Sequence, residues 1–356
     1  MRSLGGLLAL GLLASCGTDQ EVPLARVQSY PFGTFTIAAN QEISDQCVQI
    51  TLNNDEDIYV NAVQLTGAGG FHHSNWDFVP AGDPKTGALG LWPGPDGEFT
   101  CADRGFDQAI GAQKGGTLFA QSTQAVEEVQ QFPEGVALKI PAHSKLVSTI
   151  HLLNASDTAI TSTPAITLTT IRPADVTTLL AAMAFEDHAL GLPPNARSRF
   201  TVDCDLTSSW TYLHDMGTPG FDSPVPDFHV YYALAHYHKL GTGMSIEAVQ
   251  PDNTSNMMFQ TTSTIGDALG TQLAPTFDMT GYSRIRFSCD YYNNTDQTVG
   301  WGIGNQEMCV FLAFTDSTYF WGGGALDSDP PGPATIVDGV STFSHACQVA
   351  PVDSTR

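Results

Sequence analysis

The sequence has few charged side chains, and basic ones are the scarcest. Only 14% of its 356 residues are charged, and 14 Lys and Arg face 37 Asp and Glu, which gives a formal net charge of −23. A field this negative repels phosphate backbones, so the composition argues against nucleic acid as a partner. The chain also lacks a Cys-x-x-Cys pair, so neither a zinc ribbon nor a thioredoxin-type site is supported. What it has is a 42% hydrophobic content, enough for real cores.

The N-terminal segment has the pattern of a targeting signal. An apolar stretch, Leu4–Leu13, is too short to span a bilayer as a permanent helix and ends in Leu-Ala-Ser before Cys16. This resembles the bacterial lipobox, which predicts a signal peptide over residues 1–15, a lipidated Cys16 and a tether over 16–28. The protein is then expected outside the cytoplasm, in the bacterial cell envelope, touching the membrane by its lipid anchor alone. The alternative is ordinary secretory cleavage beside an incidental cysteine.

Six cysteines remain once Cys16 is set aside, and an even number suits an oxidising compartment. Three disulfides are therefore expected, and the arithmetic alone allows 15 pairings. The six are Cys47, Cys101, Cys204, Cys289, Cys309 and Cys347.

Alternating apolar residues recur along the chain and indicate half-buried strands. Examples are Cys47–Leu52, Met308–Phe314 and Phe228–His238, in which positions 228, 230, 232 and 234 are expected to share one face. Many short strands between Gly/Pro/Asn/Asp clusters predict an all-β fold of two tandem antiparallel, jelly-roll-like β-sandwiches. A boundary near residues 169–173 gives an N-terminal domain over 29–170 and a C-terminal domain over 171–350. Helices are expected only near Thr123–Gln131 and Asp175–Ala184.

Histidines carry the functional signal. His236 and His238 are two residues apart, so on a strand they point to the same face and can hold one metal ion. His72 and His73 are adjacent and can share a metal ion only at a strand end or bulge, which the preceding glycines permit. A lone His-x-His in a β protein is more often surface or packing chemistry, but two such motifs in one disulfide-type chain favour a metal site.

Met308, directly before Cys309, is the residue that suggests which metal binds. Thioether sulfur is a soft ligand, and together with imidazoles it suits copper, Cu(I) in particular. The alternative is a core methionine at the start of a strand.

Four segments follow one another in a set order. They are Asp45-Gln46-Cys47-Val48 before Phe71-His72-His73; Thr149-Ile150-His151; His229-Val230 through His236-Tyr237-His238-Lys239-Leu240-Gly241; and Glu307-Met308-Cys309. In this order they resemble the copper type II, ascorbate-dependent monooxygenases, the family of peptidylglycine α-hydroxylating monooxygenase and dopamine β-monooxygenase. The resemblance spans about residues 40–347.

The resemblance implies two coppers per chain, held in two sandwiches and apart across a solvent cleft. His72, His73 and His151 would bind the electron-transferring copper, whereas His236, His238 and Met308 would bind the oxygen-activating, catalytic one. It also implies the disulfides Cys47–Cys101, Cys204–Cys347 and Cys289–Cys309.

The implied activity is hydroxylation of an activated C–H bond of a small molecule by O₂, with ascorbate or an equivalent electron donor. The residues expected to contact the substrate differ from those of the peptidylglycine enzyme. Leu234 stands where that enzyme has an arginine for the substrate carboxylate. Val310-Phe311-Leu312 likewise replaces peptide-contacting polar residues. An apolar wall cannot pair a carboxylate, so peptidylglycine is not expected as the substrate.

Two other classes of function stay open. One is a non-catalytic copper-binding or copper-delivery surface lipoprotein on the same scaffold. The other is an adhesive or structural sandwich protein whose histidines are incidental.

Overall fold

The computed structural model of the protein describes residues 26–80, 94–327, 332 and 334–353. The predicted signal peptide and Cys16 lie outside these residues, as does most of the predicted tether. Strands dominate the described chain, so the predicted all-β class is confirmed. No helix in the described ranges has the length and apolar character needed to cross a membrane.

A five-stranded antiparallel sheet lies in the N-terminal half. Its strands, in spatial order, are β6 (Gly97–Thr100), β3 (Glu42–Thr51), β10 (Ser144–Leu153), β5 (Phe71–Pro80) and β7 (Gly116–Ala120).

An eleven-stranded sheet runs through both halves of the chain. Its main path is β1 (Arg26–Pro31), β12 (Ala165–Ile171), β4 (Ile58–Thr66), β9 (Val136–Ile140), β13 (Thr178–Asp187), β22 (Cys309–Thr315), β16 (His229–Tyr237) and β19 (Gly270–Asp278). Off this path are β8 (Glu128–Gln131), β23 (Tyr319–Ala325) and β26 (Gln348–Asp353). The halves join where β13 pairs in parallel with β9.

A six-stranded sheet belongs to the C-terminal half. It consists of β18 (Ser255–Thr261), β17 (Gly241–Val249), β20 (Arg284–Asn293), β15 (Ala196–Asp205), β25 (Val340–Ala346) and β24 (Thr335–Val337). Two short pairs are β2 (Phe35–Ile37) with β11 (Ile160–Ser162), and β14 (Gly191–Leu192) with β21 (Val299–Gly300). The helices are α1 (Gln108–Lys114) and α2 (Thr207–Asp215), with 3₁₀ turns at Cys101–Arg104 and Pro173–Asp175.

Two hydrophobic cores lie between these sheets, which makes a pair of sandwiches with one sheet in common. Strand β22 supplies both cores, because Leu312 and Phe314 pack against the five-stranded sheet while Phe311 and Ala313 pack on the side of the six-stranded sheet. From Tyr232 onward, strand β16 also contributes side chains to both cores. Its even-numbered side chains therefore face the N-terminal half.

The predicted common face of Phe228, Val230, Tyr232 and Leu234 is wrong. Phe228 and Val230 pack in the C-terminal core, whereas Tyr232 and Leu234 pack in the N-terminal core. The cause is an irregularity in β16 between Val230 and Tyr232, which shifts the register against both neighbouring strands. An extra residue in a strand reverses the faces of all residues after it.

Both predicted helices are also wrong. Residues 123–131 form a turn and strand β8, and residues 175–184 lead into β13. Strand β13 is alanine-rich, which favours a helix locally, but it pairs with neighbours on both edges, and that tertiary pairing overrides the weak helical propensity.

The three disulfides have the pairing that the resemblance implies. Cys47 joins Cys101, Cys204 joins Cys347, and Cys289 joins Cys309. Three disulfides place the chain in an oxidising, extracytoplasmic compartment.

Candidate metal centre

Five histidines from three strands meet in one buried cluster, called here the histidine cluster. Its members are His72 and His73 on β5, His151 on β10, and His236 and His238 at the end of β16. None has more than 6% of its surface exposed. Polar rings are this deeply buried in one place only where hydrogen bonds or a metal ion satisfy them.

A β-bulge explains how two adjacent histidines enter one cluster. On β10 the consecutive residues His151 and Leu152 pair with His73 and Phe71 of β5, so His72 is an extra residue without an opposite partner. A bulge re-aims the side chain at which it occurs. The His72 and His73 rings are consequently only 5.4 Å apart between centroids, rather than on opposite faces of the strand.

The two predicted ligand sets are not apart, which corrects an expectation drawn from the resemblance. The His72 and His238 ring centroids lie 4.4 Å from each other, and those of His73 and His236 lie 5.0 Å apart. The reason is the common sheet: β16 turns its even-numbered side chains toward β5 and β10. His236 and His238 therefore reach the N-terminal histidines directly.

Hydrogen bonds fix the proton positions on two of the rings. The His238 Nδ1–H donates to the carbonyl oxygen of Gln306 at 2.8 Å, and His151 Nε2 lies 2.8 Å from Glu42 Oε1. An imidazole that donates through one nitrogen presents a lone pair on the other. His238 Nε2 and His151 Nδ1 are those free atoms, and both are buried without a partner.

The remaining rings are still less satisfied by the protein. His73 has no hydrogen-bond partner at either nitrogen, and His72 has none at Nδ1. His236 Nδ1 lies 3.5 Å from the Thr123 hydroxyl, which itself donates to the Tyr237 carbonyl at 2.7 Å. Several buried lone pairs thus point to a ligand that the polypeptide does not supply.

Burial keeps the rings of His72, His73, His236 and His238 neutral at ordinary pH. Loss of solvation, reinforced by the neighbouring rings, lowers the pKa of His72 to about 2, of His236 to about 3 and of His238 to about 4. The pKa of His73 is also held well below its usual value by burial. A neutral imidazole is the form that binds a metal ion.

The spacing of the nitrogens fits a metal ion. One ligand atom each from His73, His236 and His238 lies within 4.8 Å of the others. Three nitrogens arranged evenly around one ion, each at ~2.1 Å, are ~3.4–3.6 Å apart, so a contraction of at most about 1.4 Å between any two of them would close the site. The predicted ligands from both halves thus contribute to one group of three.

Met308, the sixth predicted ligand, lies beside the cluster. It lines a cavity of about 990 Å³ whose wall also includes His73, His151 and His236. The Tyr291 hydroxyl donates to the Met308 carbonyl at 2.6 Å, which holds this segment in place.

The cavity wall beyond the histidines is largely apolar. Leu234, Val310 and Leu312 all line it, while Phe311 is turned into the C-terminal core. Four carboxylate residues line it as well, namely Asp45, Asp77, Asp107 and Glu186. No Lys or Arg of the described chain does.

Sequence reasoning missed two carboxylates that hold the cluster. Glu42 bonds His151, and buried Glu307 accepts hydrogen bonds from the backbone N–H groups of His238 at 2.9 Å and Leu240 at 2.8 Å. Burial raises the pKa of Glu307 to about 7. The position of Glu307 directly before Met308 was its only signal in the sequence.

Three histidines outside the cluster have carboxylate partners instead. His229 lies 3.0 Å from Asp316, His188 lies 2.6 Å from Glu186, and buried His345 lies 2.8 Å from Asp187.

Comparisons with known proteins do not identify a family. No protein-family model matches the chain, and no curated protein matches it. The major capsid protein P2 of bacteriophage PM2 is 9% identical and covers 82% of this chain and 97% of its own, with a TM-score of 0.30. The tandem CBM22-1–CBM22-2 domain of Paenibacillus barcinonensis Xyn10C is also 9% identical and covers 83% and 98%, with a TM-score of 0.17. Scores this low carry no argument about function.

Proposed function

We propose that the protein is a copper-dependent monooxygenase that hydroxylates an activated C–H bond of a small molecule, with O₂ as oxidant and ascorbate or an equivalent reductant. The observation that carries this proposal is the histidine cluster: five buried imidazoles, four of them with unpartnered nitrogens, beside a largely apolar cavity. The net reaction consumes O₂, two electrons and two protons, and yields the hydroxylated product and water.

The donor set favours copper over zinc. The group of three near nitrogens is all imidazole, and the neighbouring Met308 offers a thioether, which is a soft ligand. A catalytic zinc site would more often include a carboxylate or thiolate. Copper bound here would supply the electron storage and the O₂ activation that side chains cannot provide.

The chain's own part is to position these ligands and to shape the cavity. Glu42 and the Gln306 carbonyl orient His151 and His238 through their distal nitrogens. Such partners raise the basicity of a ligand and hold its ring in place. Glu307 ties the end of β16 to the segment that carries Met308.

The cavity favours a neutral or cationic apolar substrate over an anion. Its wall combines the apolar side chains of Leu234, Val310 and Leu312 with carboxylates, and no described Lys or Arg lines it. An anionic group there would have no ion-pair partner, and burying an unpaired charge is costly. This supports the inference that peptidylglycine is not the substrate.

The location follows from the N-terminal sequence. We propose attachment to the bacterial cell envelope through a lipidated Cys16, with the disulfide-bonded sandwiches outside the cytoplasm.

The test is made on protein without the predicted signal peptide, loaded with copper and supplied with ascorbate. A panel of apolar amines, alcohols and carboxylic acids is incubated under ¹⁸O₂, and products that gain one labelled oxygen atom are sought by mass spectrometry. We expect Met308→Ala to lose product while still binding copper, because the thioether supports the O₂-reactive state. Met257→Ala, at a methionine that is 49% exposed, is the matched control and is expected to keep full activity.

A second candidate function is copper binding or delivery without catalysis. The apolar side chains of Leu234, Val310 and Leu312 in the cavity wall favour it, because they offer no polar group to a specific substrate. It predicts stoichiometric copper with no ascorbate-driven O₂ uptake above that of free copper. A chain that binds no copper at all would leave an adhesive or structural protein.

A further inference from the structure

The histidine cluster divides differently from the two ligand sets that the sequence suggests. His73 groups with His236 and His238, since their ligand atoms lie within 4.8 Å of one another. Within the described chain this is the only group of three potential metal-binding side chains at that spacing. His72 and His151 are left over, although each has an unpartnered Nδ1.

His72 and His151 are arranged as a second pair. Their rings are stacked with centroids 4.7 Å apart and planes inclined by 25°. The His72 ring also lies 4.4 Å from the His238 ring, so the pair directly adjoins the group of three. A four-coordinate ion cannot take five imidazoles, so a second ion is needed to use the nitrogens of this pair.

We propose that two copper ions share one centre, one bound by His73, His236 and His238, the other by His72 and His151, close enough for their unpaired electrons to couple. The bulge at His72 is the cause, because it turns His72 and His73 toward different partners. The inference rests on the proposed function only in taking the metal to be copper.

Nearby carboxylates offset the charge of two adjacent cations. Glu42 is hydrogen-bonded to His151, and Glu307 accepts from the backbone of His238, so one acidic residue adjoins each side of the centre. Opposite charges at such distances in a partly buried site lower the mutual repulsion of the ions.

The experiment compares copper content with electron spin. The chain without its predicted signal peptide is loaded with Cu(II), copper is measured by elemental analysis, and the electron paramagnetic resonance signal is integrated. We expect two coppers per chain with an integrated spin well below two. His229→Ala, which changes a half-exposed histidine outside the cluster, is expected to leave both values unchanged.

Single variants test the division of ligands. We expect His72→Ala and His151→Ala each to leave the same residual copper, bound by three nitrogens and with one full spin. His73→Ala is expected to leave a different residual spectrum with fewer nitrogen couplings. If His72→Ala and His73→Ala instead leave the same residual ion, the sets are those suggested by the sequence and this proposal is wrong.

The outcomes also separate this proposal from the proposed function. Two coppers with two independent spins would overturn the shared centre and leave copper catalysis standing. One copper per chain would overturn the shared centre and the two-copper enzyme together. No copper would overturn both, whatever the spectra of the variants.

Discussion

Two regions of this protein bury histidine, and they satisfy it in different ways. His345 is buried with its Nδ1 2.8 Å from Asp187, so the polypeptide itself provides a carboxylate partner for that nitrogen, while the His345 Nε2 has none. The ring of His73 is buried as deeply, but among other histidine rings, and neither of its nitrogens has a partner in the chain; the Nε2 atom of His238 has none either.

The difference separates a structural histidine from one built for a ligand. A carboxylate partner compensates much of the cost of burying an imidazole, and it makes the contact part of the folding free energy. A ring whose only polar neighbours are other rings keeps that cost until something external binds. Copper should therefore stabilise the protein through the histidine cluster, whereas loss of a partner should destabilise it at the His345–Asp187 pair.

The largest expected effect is on copper-dependent stability. At free copper about 1,000 times its Kd, binding to the folded state alone adds about 4 kcal/mol to the free energy of unfolding. We expect the full increment in the wild type and in His345→Leu, and a smaller one in His73→Leu, which keeps only the copper bound without His73. Denaturant titrations with copper and with a chelator measure it, and an equal increment in all three proteins would show that the cluster is not the binding site.

Acid should destabilise the copper-free cluster by nearly as much. His238 has a pKa of about 4 when folded, against 6.5 in the unfolded chain, so the unfolded state binds the proton first. The free energy of unfolding therefore falls as the pH drops from about 6.5 to about 4, by about 3 kcal/mol for this residue.

The acid effect is measured as a difference between the wild type and His238→Asn over this pH range. Buried Glu128 and Glu307, whose pKa values burial raises to about 7, respond in the opposite direction, since folded protein binds their protons first. They are present in both proteins, so their contributions largely cancel. Parallel pH curves for the two proteins would contradict the assignment.

The buried His345–Asp187 pair should affect the stability of the fold without affecting copper binding. Asp187→Leu removes the partner of His345 and the acceptor for the backbone N–H of Ala189, and leaving buried donors unsatisfied costs about 1–3 kcal/mol. We expect a loss of about 2 kcal/mol in unfolding free energy with no change in copper per chain. A drop in bound copper would mean that this pair also supports the metal centre.

The smallest expected effect is a gain in the stability of the copper-free protein. Neither nitrogen of His73 has a hydrogen-bond partner, so His73→Leu removes two unsatisfied polar atoms from a buried position. We expect the copper-free variant to be more stable than the copper-free wild type by about 1 kcal/mol, as judged from chelator-treated unfolding curves. A loss of more than about 2 kcal/mol would indicate that His73 has a structural role of its own.

Much of the fold was accessible from local patterns. The alternation in Cys47–Leu52 and Met308–Phe314 marks the strands β3 and β22, with Leu52 and Met308 one residue beyond the strand ends. The three disulfides have the partners that the resemblance implied. These patterns are local or depend on residue identity alone, so they do not require knowledge of which sheets pack together.

The alternation failed where a strand is buried on both faces. In β16 seven of the nine residues are buried and in β13 six of the ten, on both faces of each strand, so period two carries no information about which face meets which core. The irregularity at Val230–Tyr232 has no sequence signal either, yet it decides the direction of Leu234 and His236.

The sequence by itself determined which potential metal ligands the chain contains. They are two close histidine pairs and a methionine next to a disulfide cysteine, in a chain with an acidic net charge. Only the tertiary structure decided that they meet. One sheet serves both sandwiches, so β16 faces β5 and β10, and a bulge at His72 turns adjacent histidines into a common space. Distances between strands far apart in sequence depend on packing, and packing is set by the whole chain rather than by any motif.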